Sequence, residues 1–247
     1  VLPGRILIEL VQNDRIVGGI NDASTNAAAN FYREFVSGEV LTTNAKTAEL
    51  SKLTENSFRD VNIAFANELS FICDHENIDV WELISLANRH PRVNILNPGP
   101  GVGGHCIAVD PWFIIDRAPA QSKLIKAARL INDSKPGWVV DKVLSKAAKF
   151  KRPVIACLGI AFKADIDDLR ESPSIEIVNE LIASDVGDVL VCEPNISSHN
   201  KFDLATLEQA IEAADIAVIL VDHKEFKALS ATKLSEKIVI DTRGIIK

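Results

Sequence analysis

Methionine is absent throughout, position 1 included, and tyrosine occurs once. A chain opening on "VLPGRILIEL" with no initiating methionine reads as the inside of a domain, so the sequence is expected to be a fragment of a longer protein. No C-x-x-C pair occurs among Cys73, Cys106, Cys157 and Cys192, which argues against a zinc or thioredoxin-type site, and no metal is expected. No run approaches the ~18 uninterrupted apolar residues of a membrane span, and the opening residues do not read as a signal peptide. Positive charge is in deficit. The net charge of −7 gives no whole-surface footprint for nucleic acid, though it leaves room for a local basic site that takes a phosphorylated small molecule. Together these absences predict a cytoplasmic protein with reduced thiols, no membrane and no nucleic acid among its partners.

What is present divides in two. With 47% hydrophobic residues, 247 residues can bury one large core or two smaller ones. In the first part, "DRIVGGI" predicts a strand running into a turn, with Asp22 or Ser24 capping the helix that follows and Gly38 ending it. "EVLTT" (39–43) predicts a short strand. Asn44 then caps a helix over 45–76, in which Leu50, Leu53, Phe58, Val61, Phe65, Leu69 and Ile72 recur at three- and four-residue spacing. Such a helix spans roughly 45 Å and suggests a subunit-interface spine. A short helix stopped by Pro91, a Gly/Pro loop over 97–111, and helix over 119–149 broken near Pro136-Gly137 complete this part.

From Lys151–Pro153 onward, apolar strands alternate with helices. Strands are predicted at 152–162, 188–192, 216–221 and 237–242, with one helix starting at Pro173 behind Ser172 and another over 204–214. This pattern predicts an α/β doubly wound parallel sheet (Rossmann-like) at the C-terminal end of a mainly helical region.

Three constellations can carry chemistry. "NPGPGVGGHCIAVDPWF" surrounds Cys106 with glycines that free the backbone for close approach, and Asp110 follows four residues on, within reach for base work or water orientation. The same loop reads equally as a tight turn around a buried cysteine, and His105 either tunes the thiol or points away. In "AELSKLTENSF", Lys52 and Asn56 share a helix face. In "GIAFKADIDDLRES", Lys163 and Arg170 fall at the carboxyl edge of the parallel sheet. Arg243, after "KIVID", falls at another. Jointly these three cations suit a phosphorylated ligand.

These strings, in this order, resemble the UDP-glucose/GDP-mannose dehydrogenase family: "AELSKLTENSFRDVNIAFANEL", "GPGVGGHCIAVDP", "GIAFKADIDDLRESPS" and "IDTRG". "GHC" with "VDPWF", together with "NDSKP" at 132–136, resembles most the branch acting on UDP-N-acetyl-D-mannosamine; branches acting on UDP-glucose or UDP-N-acetylglucosamine are the alternatives. The resemblance implies an oxidoreductase of polysaccharide biosynthesis that uses NAD to take a sugar C6 alcohol to the carboxylate in two steps, through a thiohemiacetal and a thioester on Cys106. It implies an oxyanion-stabilising role for Lys52 and water or proton handling by Asn56 and Asp110. Val1, Leu2, Gly4, Gly103, Gly104, Lys163 and Arg243 match substrate-binding positions and Arg170 a cofactor-contacting one. The stretch 87–92, with Arg89 and Arg92, matches a region that reaches the neighbouring subunit of a homodimer. The family's N-terminal NAD-binding domain is expected to survive only as a remnant at 1–20, followed by a central helical dimerisation domain at 21–150 and a UDP-sugar-binding domain at 151–247. Such a truncated chain is expected to be inactive alone. A non-catalytic nucleotide-sugar-binding and dimerisation module is the competing expectation.

Overall fold

The computed structural model describes residues 6–246; the expected substrate contacts at Val1, Leu2 and Gly4 lie outside them. The chain divides into two compact units, Val1–Asn56 and Ser57–Lys247. In the first, helix α1 (Ile6–Gln12) precedes strand β1 (Arg15–Gly19), helix α2 (Asp22–Arg33) and strand β2 (Val40–Asn44). β1 and β2 pair in parallel, with Val17 opposite Thr42. The cap of α2 is Asn21, not Asp22 or Ser24. Its carboxamide oxygen accepts the Ser24 N–H, and the Ser24 hydroxyl oxygen accepts the Asn21 N–H in return, forming a capping box. The helix stops at Arg33, ahead of Gly38.

Helix α3 (Ala45–Glu76) begins in the first unit and continues into the second. Asn44 caps it by accepting the Thr47 N–H at 2.9 Å. Its buried stripe in the second unit is not the apolar one that the spacing suggests. Ser57, Asp60, Ala64, Asn67 and Cys73 are buried, whereas Phe58, Phe65 and Ile72 remain 68%, 51% and 52% exposed.

The second unit continues with α4 (Val80–Ala87), α5 (Asp110–Arg117) and α6 (Lys123–Ala147). Pro136 and Gly137 do not break α6. Proline removes one backbone donor, but the helix is held from outside. Ala128, Asn132, Lys135, Val139, Val143 and Ala147 form one buried stripe, and three side chains on that side bond to α3. Helix α5 was hidden in the sequence behind the Gly/Pro loop; Asp110 is its first residue and Pro111 its second.

Strands β3 (Val154–Leu158), β4 (Asp188–Cys192), β5 (Ile216–Ile219) and β6 (Ile238–Asp241) alternate with α7 (Pro173–Ala183), α8 (Leu207–Ala213), α9 (Lys224–Lys227) and α10 (Ala231–Leu234). All pairings are parallel, in the order β4-β3-β5-β6. Successive residues of β3 serve opposite faces. Ile155 and Cys157 pack with Val139, Val143, Ile177 and Leu181 of α6 and α7, while Ala156 and Leu158 pack with Ala210, Phe226 and Leu234 on the other face. The sheet is therefore doubly wound, as its alternating sequence predicts. The chain leaves β3 toward β4 through α7 and returns to β5 through α8 on the opposite face. The strand order thus switches between β3 and β5, where ligands enter such sheets at the carboxyl ends.

Candidate functional site at the carboxyl edge of the sheet

The loop 97–109 lies against that edge. The Gly99 N–H donates to Asn67 Oδ1 at 2.9 Å, and a Cβ added at Gly99 would sit 2.6 Å from an Arg243 nitrogen. A Cβ at Gly103 would lie 2.7 Å from the Glu171 carbonyl oxygen and 2.8 Å from Phe162 Cβ. Gly104 has φ +75° and its hydrogen faces the Phe162 ring. The sequence suggested that these glycines leave room for a ligand. In the structure they let the loop lie on the chain's own 162–173 segment and on Arg243, where a side chain would overpack.

Cys106 follows Gly104 in a turn and is exposed; Cys73, Cys157 and Cys192 are buried. Burial pushes the Cys157 thiol up to about 12, and burial with the neighbouring Glu193 does the same to Cys192. A buried, protonated thiol is inert, so of the four cysteines only Cys106 is placed to react. Its carbonyl accepts the Asp110 N–H at 2.9 Å, which ties the turn to the start of α5. His105 is exposed, as are Arg89 and Arg92.

Each candidate cation has a definite place. Lys163 is exposed in the loop after β3. Arg243 holds Asp222 Oδ1 through Nε (3.0 Å) and Nη2 (2.7 Å), and Lys227 holds the other oxygen at 2.9 Å. Burial would raise the Asp222 carboxyl, but Arg243 and Lys227 outweigh it and bring it to about 2. Arg170 forms a fork with Asp168 (Nε–Oδ1 2.9 Å, Nη2–Oδ2 2.5 Å); that hydrogen bond holds Asp168 at about 2. In the first unit, Lys52 is exposed and pairs with Glu55 at 3.0 Å, whereas Asn56 is buried. The shared helix face therefore splits into a solvated lysine and an enclosed amide.

Two polar clusters escaped sequence reasoning. In one, Asp60 Oδ1 accepts from Arg129 Nη1 (2.5 Å) and Asn132 Nδ2 (2.8 Å), and Asn132 Oδ1 accepts from Asn67, which holds Gly99. Asp60 and Arg129 are almost wholly buried, and burial raises the Asp60 carboxyl despite the arginine. In the other, Glu193 and His223, both fully enclosed, meet at the carboxyl ends of β4 and β5. Polar residues directly after apolar strands were the available signal for this second cluster.

Burial would raise the Glu193 carboxyl. The hydrogen bond from His223 and those from the Ile160 and Asn195 N–H groups outweigh burial and bring it from 4.5 to about 2. A carboxyl lowered on folding stabilises the native state above its unfolded value, and that stability disappears as pH falls through the folded value. Glu193 is thus expected to contribute about 3 kcal/mol at neutral pH, lost between roughly pH 4.5 and 2. Urea unfolding at pH 6 and pH 3 measures it; a Glu193→Gln variant should show a shallower fall.

The string Gly99-Pro-Gly-Val-Gly-Gly104 has the spacing of a dinucleotide fingerprint, but no strand precedes it and a turn, not a long helix, follows. Its glycines face Arg243, Pro173 and Phe162. This string therefore does not fit as an NAD cradle. Among the described residues, no helix is long and apolar enough to cross a membrane.

Residues 46–134 match the central domain of the UDP-glucose/GDP-mannose dehydrogenase family, and residues 156–247 match its UDP binding domain. The chain belongs to this family. Its relatives include an NDP-N-acetyl-D-galactosaminuronic acid dehydrogenase from Ralstonia solanacearum, 58% identical over 99% of this chain and 59% of that protein. A UDP-N-acetyl-D-mannosamine dehydrogenase from Yersinia pestis is 54% identical over 99% of this chain and 61% of its own length. Among solved structures, the UDP-D-ManNAc dehydrogenase of Pyrococcus horikoshii superposes with a TM-score of 0.89 at 42% identity, covering all of this chain and 60% of that one. The chain thus spans about three fifths of the length of these family members.

Proposed function

We propose that this chain is the nucleotide-sugar-binding and covalent-catalysis part of an NAD-dependent UDP-N-acetyl-D-mannosamine 6-dehydrogenase. The observation that carries the reading is the placement of the one exposed cysteine on a loop that lies against the sheet's carboxyl edge. NAD, held by a domain outside these residues, supplies the hydride acceptor for both oxidations. The Cys106 thiolate adds to the C6 aldehyde carbon of the sugar and keeps the half-oxidised intermediate attached, dividing one hard conversion into easier ones. Lys52 neutralises the oxyanion, and Asn56 and Asp110 hold water and move protons during release of the acid. Gly103 and Gly104 shape the loop around the substrate, Lys163 and Arg243 bind it, and Arg170 faces the cofactor. The organisation proposed is that of the family: the end of an N-terminal domain at 1–20, a central dimerisation domain at 21–150, and the UDP-sugar domain at 151–247. Both oxidations draw on bound NAD, and these residues by themselves are proposed to bind the nucleotide sugar without turning it over.

Titration calorimetry of this chain with UDP and UDP-N-acetyl-D-mannosamine tests the binding half. Lys163→Ala and Arg243→Ala should each weaken affinity about 10- to 100-fold, the worth of a lost charge-assisted hydrogen bond. Unchanged affinity in both overturns the assignment. A second sugar reading has its own support in the 58%-identical Ralstonia relative, whose name specifies an N-acetylgalactosamine series. A substrate panel on the full-length protein decides between the two and also covers UDP-glucose and UDP-N-acetylglucosamine.

Dimerisation is proposed through α3. Phe58, Phe65 and Ile72 repeat every seven residues, which makes one exposed apolar stripe along the helix. Sedimentation of this chain should show a dimer that Phe65→Glu disperses; a concentration-independent monomer overturns it.

A further inference from the structure

The loop that bears Lys163 is pinned from inside the protein on both of its flanks. On the near side, Glu193 Oε2 accepts the N–H groups of Ile160 (2.8 Å) and Ala161 (3.0 Å). On the far side, His223 Nδ1 receives the Asp165 N–H at 2.9 Å. Lys163 stands midway, two residues from Ala161 and two from Asp165. The pins are themselves joined, because His223 Nε2 meets Glu193 Oε2 at 3.1 Å. Asn195 closes the cluster by donating its backbone N–H to Glu193 Oε1 at 3.1 Å and by placing Nδ2 3.0 Å from His223 Nδ1.

The protonation pattern follows from the partners. Nδ1 faces two donors, so it is the accepting nitrogen of the ring; the proton sits on Nε2 and points at the carboxylate. Every contact of Glu193 is with a donor, so its charge is consumed inside the cluster. Asp165 takes a left-handed φ of +59°, which costs a non-glycine residue energy and persists only where neighbours over-determine it. Its amide bond to His223 and its carboxylate, which accepts the Lys224 N–H at 3.0 Å, supply that determination.

Neither side chain of the pair reaches solvent. A buried polar pair is a poor device for stability alone, since apolar replacements of similar volume often serve as well. Here an apolar pair would leave the N–H groups of 160, 161 and 165 without acceptors, all within five residues of Lys163.

We infer that Glu193 and His223 are positioning residues for the nucleotide-sugar site: they act through the 160–165 backbone to hold Lys163 where it meets its ligand. This rests on the binding role proposed for Lys163.

The test uses three replacements of His223 in this chain. His223→Asn keeps an acceptor near Nδ1, His223→Gln keeps a donor near Nε2, and His223→Leu keeps neither. Two readouts are taken, amide hydrogen exchange over 160–165 and calorimetric affinity for UDP-N-acetyl-D-mannosamine. The leucine variant should speed exchange at Asp165 at least tenfold and weaken binding about tenfold. Asparagine should restore most of both, and glutamine less, even where the three melting temperatures are alike. In a double-mutant cycle, Lys163→Ala added to His223→Leu should cost little more than either change alone. Unchanged exchange, equal behaviour of the asparagine and leucine variants, or additive losses in the cycle each overturn the inference. Faster exchange together with wild-type binding by Lys163→Ala upholds the pinning of the loop and instead overturns the role given to Lys163.

Discussion

Cys106→Ala in the full-length protein is expected to lower the oxidation rate by at least ~10³-fold while leaving UDP-sugar affinity within about twofold. The first number follows from removing the atom to which the proposed covalent bond is assigned; proximity and electrostatics would then act with no nucleophile to serve. The second follows from exposure. Cys106 is on the surface of its turn, and its structural contact runs through its backbone carbonyl to the Asp110 N–H, which alanine retains. Cys106→Ser should be nearly as slow, because a hydroxyl is a much weaker nucleophile than a thiolate at neutral pH. Steady-state NADH production and equilibrium titration read the two effects separately. Overall oxidation at wild-type rate in either variant removes the covalent role. Equal loss of binding and turnover would mean that the side chain shapes the pocket.

Arg129→Leu is expected to destabilise the second unit by about 3–5 kcal/mol, read as a fall in the urea midpoint. The guanidinium is 2% exposed and bonds a carboxylate that is 0% exposed, so removing one partner strands the other in a medium that does not solvate it. Asn132 alone would then face Asp60. The diagnostic comparison is with the double variant Arg129→Leu, Asp60→Asn, which should be more stable than Arg129→Leu because no uncompensated charge remains. A double variant worse than the single one would show that packing of the long side chain, rather than its charge, was the main loss. The damage should also spread to the loop: Asp60, Asn132, Asn67 and Gly99 form one chain of hydrogen bonds, and its last link fixes the start of the glycine-rich segment.

The sheet was legible because its strands are short apolar runs that alternate with helices, and because Pro173 marks the first residue of α7. Helix α3 was legible in extent, from its cap at Asn44 to its end near Glu76, but not in orientation. Its regular apolar residues largely face outward, and its buried stripe carries Asp60 and Asn67. Periodicity reports that a helix has two faces; it does not say which one the chain itself covers. Pro136 suggested a break because propensity is local, whereas the bonds that hold α6 join residues 65 to 72 positions apart. The same distance in sequence hid the Asp60–Arg129 cluster, and the Glu193–His223 pair is separated by 30 positions. Cys106 was legible as a candidate but not as an exposed one, since glycines beside a cysteine describe a tight turn and an open one alike.

With Cys73, Cys157 and Cys192 sealed and no methionine anywhere, the chain offers sulfur chemistry a single accessible target. Alkylating agents or a maleimide fluorophore should therefore attach once per folded molecule, giving a reporter at the loop without any engineering of the background. Peroxide injury would be concentrated at that same atom, so the group proposed to do the chemistry is also the protein's weakest point under oxidative stress.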